Sequence, residues 1–200
     1  DKKMREPIDV HVYFNFRSPY CYLVSKTMWS IFDNYHSRLV WHPVGGWNLR
    51  SSPERAKKKL PIARQDMARF ARRLGIPVNP PPMETEPTPA GAASILAESE
   101  GCLREFIVET MREEWEFGNN IAEDSALAAI AVRCSLDVEA VLAAAKDPTN
   151  LATLEQNVQE AEDKGVIGVP TFVIDDEIFW GQDRVEFVEE RLNDMRARRL

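Results

Sequence analysis

The chain has 200 residues, of which 44% are hydrophobic and 28% are charged, and these proportions exclude a disordered or collagen-like protein. Its net charge of −7 argues against a general nucleic-acid-binding protein, because such proteins carry excess Lys and Arg to neutralise phosphates. Three cysteines without a Cys-x-x-Cys pair, and three histidines without metal-ligand spacing, argue against a disulfide framework and a structural zinc site.

The first predicted elements are a strand, a helix and a second strand. Apolar residues alternate over residues 8–16, which predicts a strand with one buried face. Ser18 and Pro19 then predict a helix start, and this helix is expected to extend to about residue 34. A short strand is predicted over residues 39–44. This order is typical of a parallel βαβ unit.

The middle of the chain is predicted to be helical. Residues 53–74 form a basic helix with eight Lys and Arg residues against Glu54 and Asp66, and it ends at Gly75. Proline is frequent over residues 79–89, which predicts an extended loop. Helical spacing follows over residues 92–118, 124–134, 137–145 and 150–164.

The C-terminal part is predicted to form a hairpin and a closing helix. Strands are expected over residues 170–174 and 177–180, with a turn at Asp175-Asp176, and a helix over residues 183–198. The order βαβ, helices, ββα predicts an α/β, thioredoxin-like fold with an inserted all-helical domain. The thioredoxin-like domain would comprise residues 1–50 and 160–200, and the helical domain residues 51–159.

The expected location of the protein depends on two kinds of segment, a signal peptide and a membrane span. The start of the chain, Asp1-Lys2-Lys3-Met4-Arg5, lacks the apolar core of a signal peptide. No apolar run approaches the roughly 20 residues of a membrane span. We therefore expect a soluble, cytoplasmic protein without a membrane partner.

Three motifs point to one chemical site. Ser18-x-x-Cys21 stands where a helix begins, and a helix N-terminus stabilises a thiolate. Pro170, at the entry to a strand, is a candidate cis-proline, next to a residue whose backbone could pair with a bound peptide. Asp183, at the last helix junction, either caps that helix or binds a ligand ammonium group.

These motifs, in this order, resemble the family of 2-hydroxychromene-2-carboxylate isomerases and kappa-class glutathione transferases, which have a DsbA-like thioredoxin fold. The resemblance runs from Val10 to about Glu190 and includes the junction at residues 118–124. It implies a cytoplasmic, homodimeric enzyme of aromatic compound degradation that uses glutathione. Such an enzyme isomerises an aromatic-derived carboxylate through addition of the glutathione thiolate, or transfers glutathione to an electrophile.

The resemblance also implies roles for individual residues. Ser18 would donate a hydrogen bond to the glutathione sulfur and act as the catalytic residue. Val169 and Pro170 would meet the cysteinyl backbone of glutathione, and Gln182 and Asp183 its γ-glutamyl end.

Two further residues, Lys59 and Trp47, are less specific candidates for binding the aromatic or electrophilic substrate. Lys59 stands near the position of a family lysine and, with the basic helix, would attract anionic groups, although such a helix can equally be a solvated face. Trp47 would line an aromatic pocket, or belong to the core. The loop at residues 83–91 departs from the isomerases, since it carries two acids and no Arg.

Two other functions remain open at this stage. A DsbA-like thiol–disulfide oxidoreductase would have to use Cys21 alone, because Ser18 replaces the attacking cysteine. Cys21 is otherwise a small buried residue. The third possibility is a non-catalytic glutathione-binding protein on the same fold.

Overall fold

The computed structural model describes residues 5–199, so that Asp1–Met4, which make up most of the N-terminal segment considered above, and Leu200 lie outside it. In chain order the elements are β1 (Ile8–Asn15), α1 (Pro19–Thr27), α2 (Ser30–Asp33), β2 (Ser37–Val44), α3 (Pro53–Leu74), α4 (Thr88–Ser99), α5 (Leu103–Trp115), α6 (Asp124–Arg133), α7 (Val138–Ala144), α8 (Pro148–Lys164), β3 (Thr171–Ile174), β4 (Glu177–Trp180), a 3-10 turn (Gln182–Arg184) and α9 (Val185–Asp194). The part of the chain that the structure describes contains no helix long and apolar enough to cross a membrane.

The four strands form one mixed sheet in the order β2-β1-β3-β4. β1 pairs in parallel with β2, so that Ile8 lies opposite Ser37, and antiparallel with β3, so that Tyr13 lies opposite Thr171. β3 and β4 form the predicted hairpin. The thioredoxin-like fold with inserted helices is therefore confirmed.

The sheet is buried on both faces around β1, which differs from the prediction of one buried face. Val12 and Phe14 point into the main core, as their alternation predicts. Tyr13 on the opposite face is also fully buried, because it packs against Ala161 of α8 and Val173 of β3. Alternation fails here because both faces of this strand are covered.

The first predicted helix is divided into α1 and α2. One side chain takes a backbone carbonyl that would continue it: Trp29 Nε1 donates to Ser25 O at 2.8 Å, where the Trp29 N–H would bond in an unbroken helix. Such bonds compete with the helical hydrogen bonds. The helix therefore ends at Thr27, and only one further turn follows.

The proline-rich segment is shorter than predicted, and the helix after it is divided. α4 begins at Thr88, with Pro89 in its first turn, where a proline costs no hydrogen bond. Gly101, at a φ of +76°, then separates α4 from α5. The C-terminal helix also ends earlier than predicted, at Asp194.

The inserted helices share a hydrophobic core with the sheet. Phe106 of α5 makes an edge-to-face contact with Phe16, with ring centroids 6.3 Å apart, and both are fully buried. α8 continues through the predicted domain boundary at residue 160, and its Asn157 contacts His42 of β2.

Candidate functional site

Ser18 is the N-cap of α1, immediately before Pro19. Its Oγ accepts a hydrogen bond from the Cys21 N–H at 3.3 Å. Within residues 5–199 no oxygen or nitrogen atom accepts a hydrogen bond from the Ser18 hydroxyl, and the neighbouring Cys21 sulfur is a weak acceptor, so a stronger acceptor such as a thiolate can take this hydrogen. The positive end of α1 and one O–H donor therefore point to the same place, which suits an anion.

Asn15, the last residue of β1, holds the chain around Ser18. Its buried side-chain amide donates to the carbonyls of Gly46 and Asn48, each at 3.1 Å, and its Oδ1 accepts the Arg17 N–H at 2.9 Å. These bonds tie the loop after β2 to the start of α1. Sequence analysis gave Asn15 no role, because a polar residue at a strand end carries no signal of its partners.

Val169 and Pro170 lie beside this helix start, and the peptide bond between them is cis, as predicted. Because Tyr13 lies opposite Thr171 in the sheet, the residues before Thr171 run past the end of β1 towards Asn15. Among residues 5–199 no group hydrogen-bonds to the N–H or C=O of Val169. An unpaired N–H and C=O on one half-buried residue can pair with a bound peptide backbone.

The turn after β4 is joined to the same proline. The Gly181 N–H donates to Pro170 O at 2.9 Å. Gly181 has a φ of +125°, and a Cβ there would lie 2.7 Å from Asp183 Oδ1, so glycine is required. This contact brings the 3-10 turn with Gln182 and Asp183 next to Pro170.

Gln182 is buried, whereas about half of the Asp183 side chain is exposed, at 49%. Asp183 forms an ion pair with Arg184 at 3.1 Å, and the N-cap of α9 is Arg184, without a side-chain cap. The capping role considered for Asp183 is therefore wrong. Its half-exposed carboxylate can still meet a ligand, and the 3-10 turn that carries it packs against α1.

Tyr20, in the first turn of α1, connects this turn to the basic helix. Its hydroxyl donates to Asp66 Oδ2 of α3 at 3.2 Å. Burial, followed by the charges of Asp66 and Asp183, raises the pKa of Tyr20 to about 12. Tyr20 is therefore a hydrogen-bond donor in the neutral pH range.

Cys21 lies beneath this surface and is fully buried. Burial raises the pKa of the Cys21 thiol to about 12, more than hydrogen bonds from Asn15 and Ser18 lower it. A thiol held neutral and without solvent contact cannot act as a nucleophile. This agrees with the interpretation of Cys21 as a small buried residue.

Lys59 lies on α3, whereas Trp47 lies in the loop after β2, between the Gly46 and Asn48 carbonyls that Asn15 binds. Lys59 is exposed on α3, and its Nζ donates to Ser51 Oγ at 3.0 Å. Trp47 is 47% exposed, which excludes the core alternative, and its ring stacks under the Arg50 guanidinium at 4.1 Å. Within residues 5–199 neither side chain hydrogen-bonds to Ser18 or to the 3-10 turn.

Three charged residues beside α1 escaped sequence analysis. Arg17 is 8% exposed and lies over the Trp115 ring at 5.5 Å. Glu114 of α5 is fully buried, and burial raises its pKa well above the usual range although Arg17 and Arg50 lower it. Burial, with the charge of Arg17, lowers the pKa of Arg50 to about 10. The helical spacing of α5 could have indicated that Glu114 is buried.

Comparisons with known proteins agree on the fold. The family model of the DSBA-like thioredoxin domain matches residues 9–193. The chain is 23% identical over 192 residues to 2-hydroxychromene-2-carboxylate isomerase from Sphingobium xenophagum, a match that covers 92% of this chain and 98% of that protein.

Two solved structures are similar over almost their whole length. A 2-hydroxychromene-2-carboxylate isomerase superposes with a TM-score of 0.81 at 21% identity, covering 94% of this chain and 96% of that one. The cytosolic disulfide reductase DsbM from Pseudomonas aeruginosa, solved with GSH, gives a TM-score of 0.69 at 18% identity, covering 93% of this chain and 100% of that one.

Proposed function

The chain belongs to the family of DsbA-like thioredoxin domains, and from this premise we propose that it is a glutathione-dependent isomerase of the 2-hydroxychromene-2-carboxylate isomerase type. The relatives of that name support an isomerase, because they match nearly the whole chain. A glutathione transferase reaction on a related electrophile is the nearest variant of the same chemistry.

One observation carries the proposal: the helix N-terminus at the site presents Ser18, whereas Cys21 three residues later is fully buried. An oxidoreductase of this fold needs an accessible attacking thiol on the protein. Here the residue at the helix start carries a hydroxyl, 5% exposed, which can donate a hydrogen bond to a thiolate but is not itself a thiol. A reacting sulfur at this position would therefore come from a ligand.

The residues around Ser18 fit glutathione. The unpaired N–H and C=O of Val169 suit the backbone of its cysteinyl residue. The half-exposed carboxylate of Asp183 suits the γ-glutamyl ammonium group, and the Gln182 amide lies beside it. These contacts would orient the thiol towards Ser18.

Glutathione, when bound, would supply a thiolate that adds to a conjugated double bond of the substrate, lets that bond rotate and then leaves. The chain contributes by stabilising negative charge on sulfur. Ser18 donates its hydroxyl hydrogen, and the positive end of α1 favours the ionised form. The neutral Tyr20 hydroxyl and the buried Asn15 keep this helix start in place.

The proposal is tested by substituting Ser18→Ala and measuring glutathione binding by calorimetry in buffers of different ionisation enthalpy. Loss of a hydrogen bond to a charged group costs about 1.5–3 kcal/mol, so we expect the affinity to fall about tenfold or more. Proton release on binding at neutral pH should decrease as well, because less of the bound thiol is ionised.

Ser52→Ala is the matched control. Ser52 caps α3 in the same manner, accepting the Arg55 N–H at 3.4 Å, so its loss weakens a helix start and leaves the site intact. Equal glutathione binding by wild type and Ser18→Ala would contradict the proposal. Tight binding without turnover of any conjugated carbonyl compound would identify a non-catalytic glutathione-binding protein instead.

The family resemblance also leads us to propose a cytoplasmic homodimer. Light scattering coupled to size-exclusion chromatography measures the mass in solution. A mass of one chain, 22.8 kDa, would contradict the dimer.

A further inference from the structure

A group of three charged side chains, which we call the buried charge cluster, adjoins Ser18 and consists of Arg17, Arg50 and Glu114. Arg17 directly precedes Ser18 in the chain, and Arg50 lies in the loop that Asn15 ties to the end of β1. Glu114 approaches from α5, which packs against α1. Three separate parts of the chain thus bring charges to one place.

Polar atoms of Arg17 and Glu114 are unpaired, whereas the half-buried Arg50 donates to Gly46 O at 3.3 Å. Both carboxylate oxygens of Glu114 and the Nε of Arg17 are buried, and no residue within 5–199 forms a hydrogen bond with them. Buried polar atoms without partners are rare in proteins and often mark a functional site. The Arg17 guanidinium is held by stacking on Trp115, not by an ion pair, so its hydrogen-bonding edge stays uncommitted.

The charges of the cluster do not cancel. Two guanidinium groups face one carboxyl group, so their sum is positive whether Glu114 is ionised or neutral. Glu84 also acts on Arg17, and Glu86 on Arg50, but both of these acids are exposed, where solvent screens them. A partly buried positive site of this kind favours a bound anion.

We propose that Arg17, supported by Arg50, binds the carboxylate of the second substrate, an anionic carbonyl compound with a conjugated double bond. The inference rests on the proposed function, since it assigns the partner of the thiolate at Ser18. A guanidinium fork binds a carboxylate through two parallel hydrogen bonds and so fixes its orientation. Arg17 and Ser18 are neighbours in the chain, which would bring the conjugated carbons of such a substrate close to the sulfur.

Two probes that differ only in the charged group test this subsite: phenylpyruvate, and phenylacetone, in which a methyl group replaces the carboxylate. Their binding is measured by calorimetry with and without S-methylglutathione, which cannot react. We expect wild type to prefer phenylpyruvate, and Arg17→Met to lose about tenfold or more in affinity for it. Affinity for phenylacetone and for S-methylglutathione should change less than about twofold.

Arg38→Met is the matched control, because Arg38 is an exposed arginine at the other end of β2, paired with Asp9 at 2.6 Å. It should bind both probes like wild type. Glu114→Gln keeps the size of the side chain and removes its charge, so phenylpyruvate should bind at least as tightly as to wild type. A loss in Glu114→Gln as large as that in Arg17→Met would overturn the proposed charge arrangement.

The outcomes separate this inference from the proposed function. If wild type binds S-methylglutathione but does not prefer phenylpyruvate, or if Arg17→Met keeps that preference, the subsite is refuted and the glutathione site stands. If phenylpyruvate binds through Arg17 but no glutathione derivative binds, the proposed function fails and the anion subsite stands.

Discussion

At the scale of single residues, Ser18 and Cys21 show how one helical turn creates two environments. Ser18 lies at the positive end of α1, and no oxygen or nitrogen atom within residues 5–199 accepts its hydroxyl hydrogen. Cys21, one turn later, is fully buried and belongs to the main hydrophobic core. Burial disfavours a thiolate there, so the same helix that stabilises an anion at its N-terminus keeps its own thiol neutral.

This difference predicts the reactivity of the free thiols. In the native protein a disulfide reagent should modify only Cys102 quickly, because Cys102 is half-buried whereas Cys21 and Cys134 are buried. All three cysteines should react after denaturation. Cys102→Ala should remove the fast phase. Fast modification of Cys21 in the native state, mapped by mass spectrometry, would contradict this prediction and favour an oxidoreductase.

At the scale of elements, a row of hydrogen-bonded side chains, which we call the relay, joins β1 and β2 to α8. It consists of His11, His42, Asn157 and Glu160. His42 Nδ1 lies 3.1 Å from Asn157 Oδ1 and 3.4 Å from Glu160 Oε2, so this nitrogen carries a hydrogen. His42 Nε2 is then an acceptor, and it receives a hydrogen bond from His11 Nδ1 at 2.8 Å. With both rings neutral, His11 donates and His42 accepts. Protonation of His42 would place two N–H groups opposite each other unless His11 changed its tautomer.

The relay predicts that the protein loses stability as the pH falls. Burial lowers the pKa of both His11 and His42, and Lys164 lowers both further. Asp9 and Glu160 raise the pKa of His11, and Asn157 and Glu160 that of His42, but by less. The unfolded chain therefore takes up protons below about pH 6.5 that the folded chain resists. This stabilisation is fully present above about pH 6.5 and decreases below it.

Urea unfolding at about pH 8 and about pH 5.5 measures the effect. We expect wild type to lose more free energy of unfolding on acidification than His11→Gln, whose amide can still donate to His42 but does not titrate. The raised pKa of Glu114 has the opposite effect, because it makes the folded protein more stable as the pH falls. Glu114 is present in both wild type and His11→Gln, so its contribution cancels when their losses are compared. His36→Gln is the control, because His36 lies before β2 and its ring hydrogen-bonds, within residues 5–199, only to the Arg5 carbonyl, at 2.6 Å. Equal losses in wild type and His11→Gln would refute the role of the relay.

Elements with strong local signals could be predicted from the sequence, and those set by tertiary contacts could not. The alternation around Val10 and Val12 and the turn at Asp175 gave the strands and the hairpin. The end of α1 depends on Trp29 reaching back to a backbone carbonyl, which no periodicity reveals. The second buried face of β1 depends likewise on α8, about 140 residues later in the chain.

Some residues of the candidate site could likewise be predicted from the sequence, and others could not. Ser18 and Pro170 could be found because a cap serine and a proline have local conformational meanings. Arg17 resembles an ordinary surface residue in the sequence, and the helical spacing of α5 places Glu114 on the buried face without revealing its partner. Only the packing of α5 on α1 buries them together, and that contact is not encoded in either segment alone.

At the scale of the whole molecule, the sheet and the inserted helices depend on one continuous core. Phe16, which follows β1, contacts Phe106 of α5 on one side and Trp41 of β2 on the other, at centroid distances of 6.3 Å and 6.0 Å. No polar layer separates the two parts at this point, since all three side chains belong to the same buried cluster. They are therefore expected to unfold together.

Phe106→Ala tests this cooperativity. Removing a buried phenylalanine costs about 3–5 kcal/mol. Hydrogen exchange followed by mass spectrometry should show β1, β3 and α5 losing protection by similar factors, because the whole core opens at once. Phe187→Ala, at a side chain that is 53% exposed, should change stability by less than about 0.5 kcal/mol. Loss of protection in the helices alone would show that the insertion is an independent domain.

The burial of Cys21 also affects how long such a site stays active under oxidising conditions. When the catalytic sulfur belongs to the polypeptide, peroxide converts it in steps to acids that the cell cannot readily reverse, and the enzyme molecule is lost. Here the polypeptide keeps its own sulfur out of contact with solvent, and the proposed reacting sulfur belongs to a dissociable tripeptide. An oxidised tripeptide can diffuse away and be replaced, so the lifetime of the site is set by the folding of the chain and not by the chemistry of its thiol.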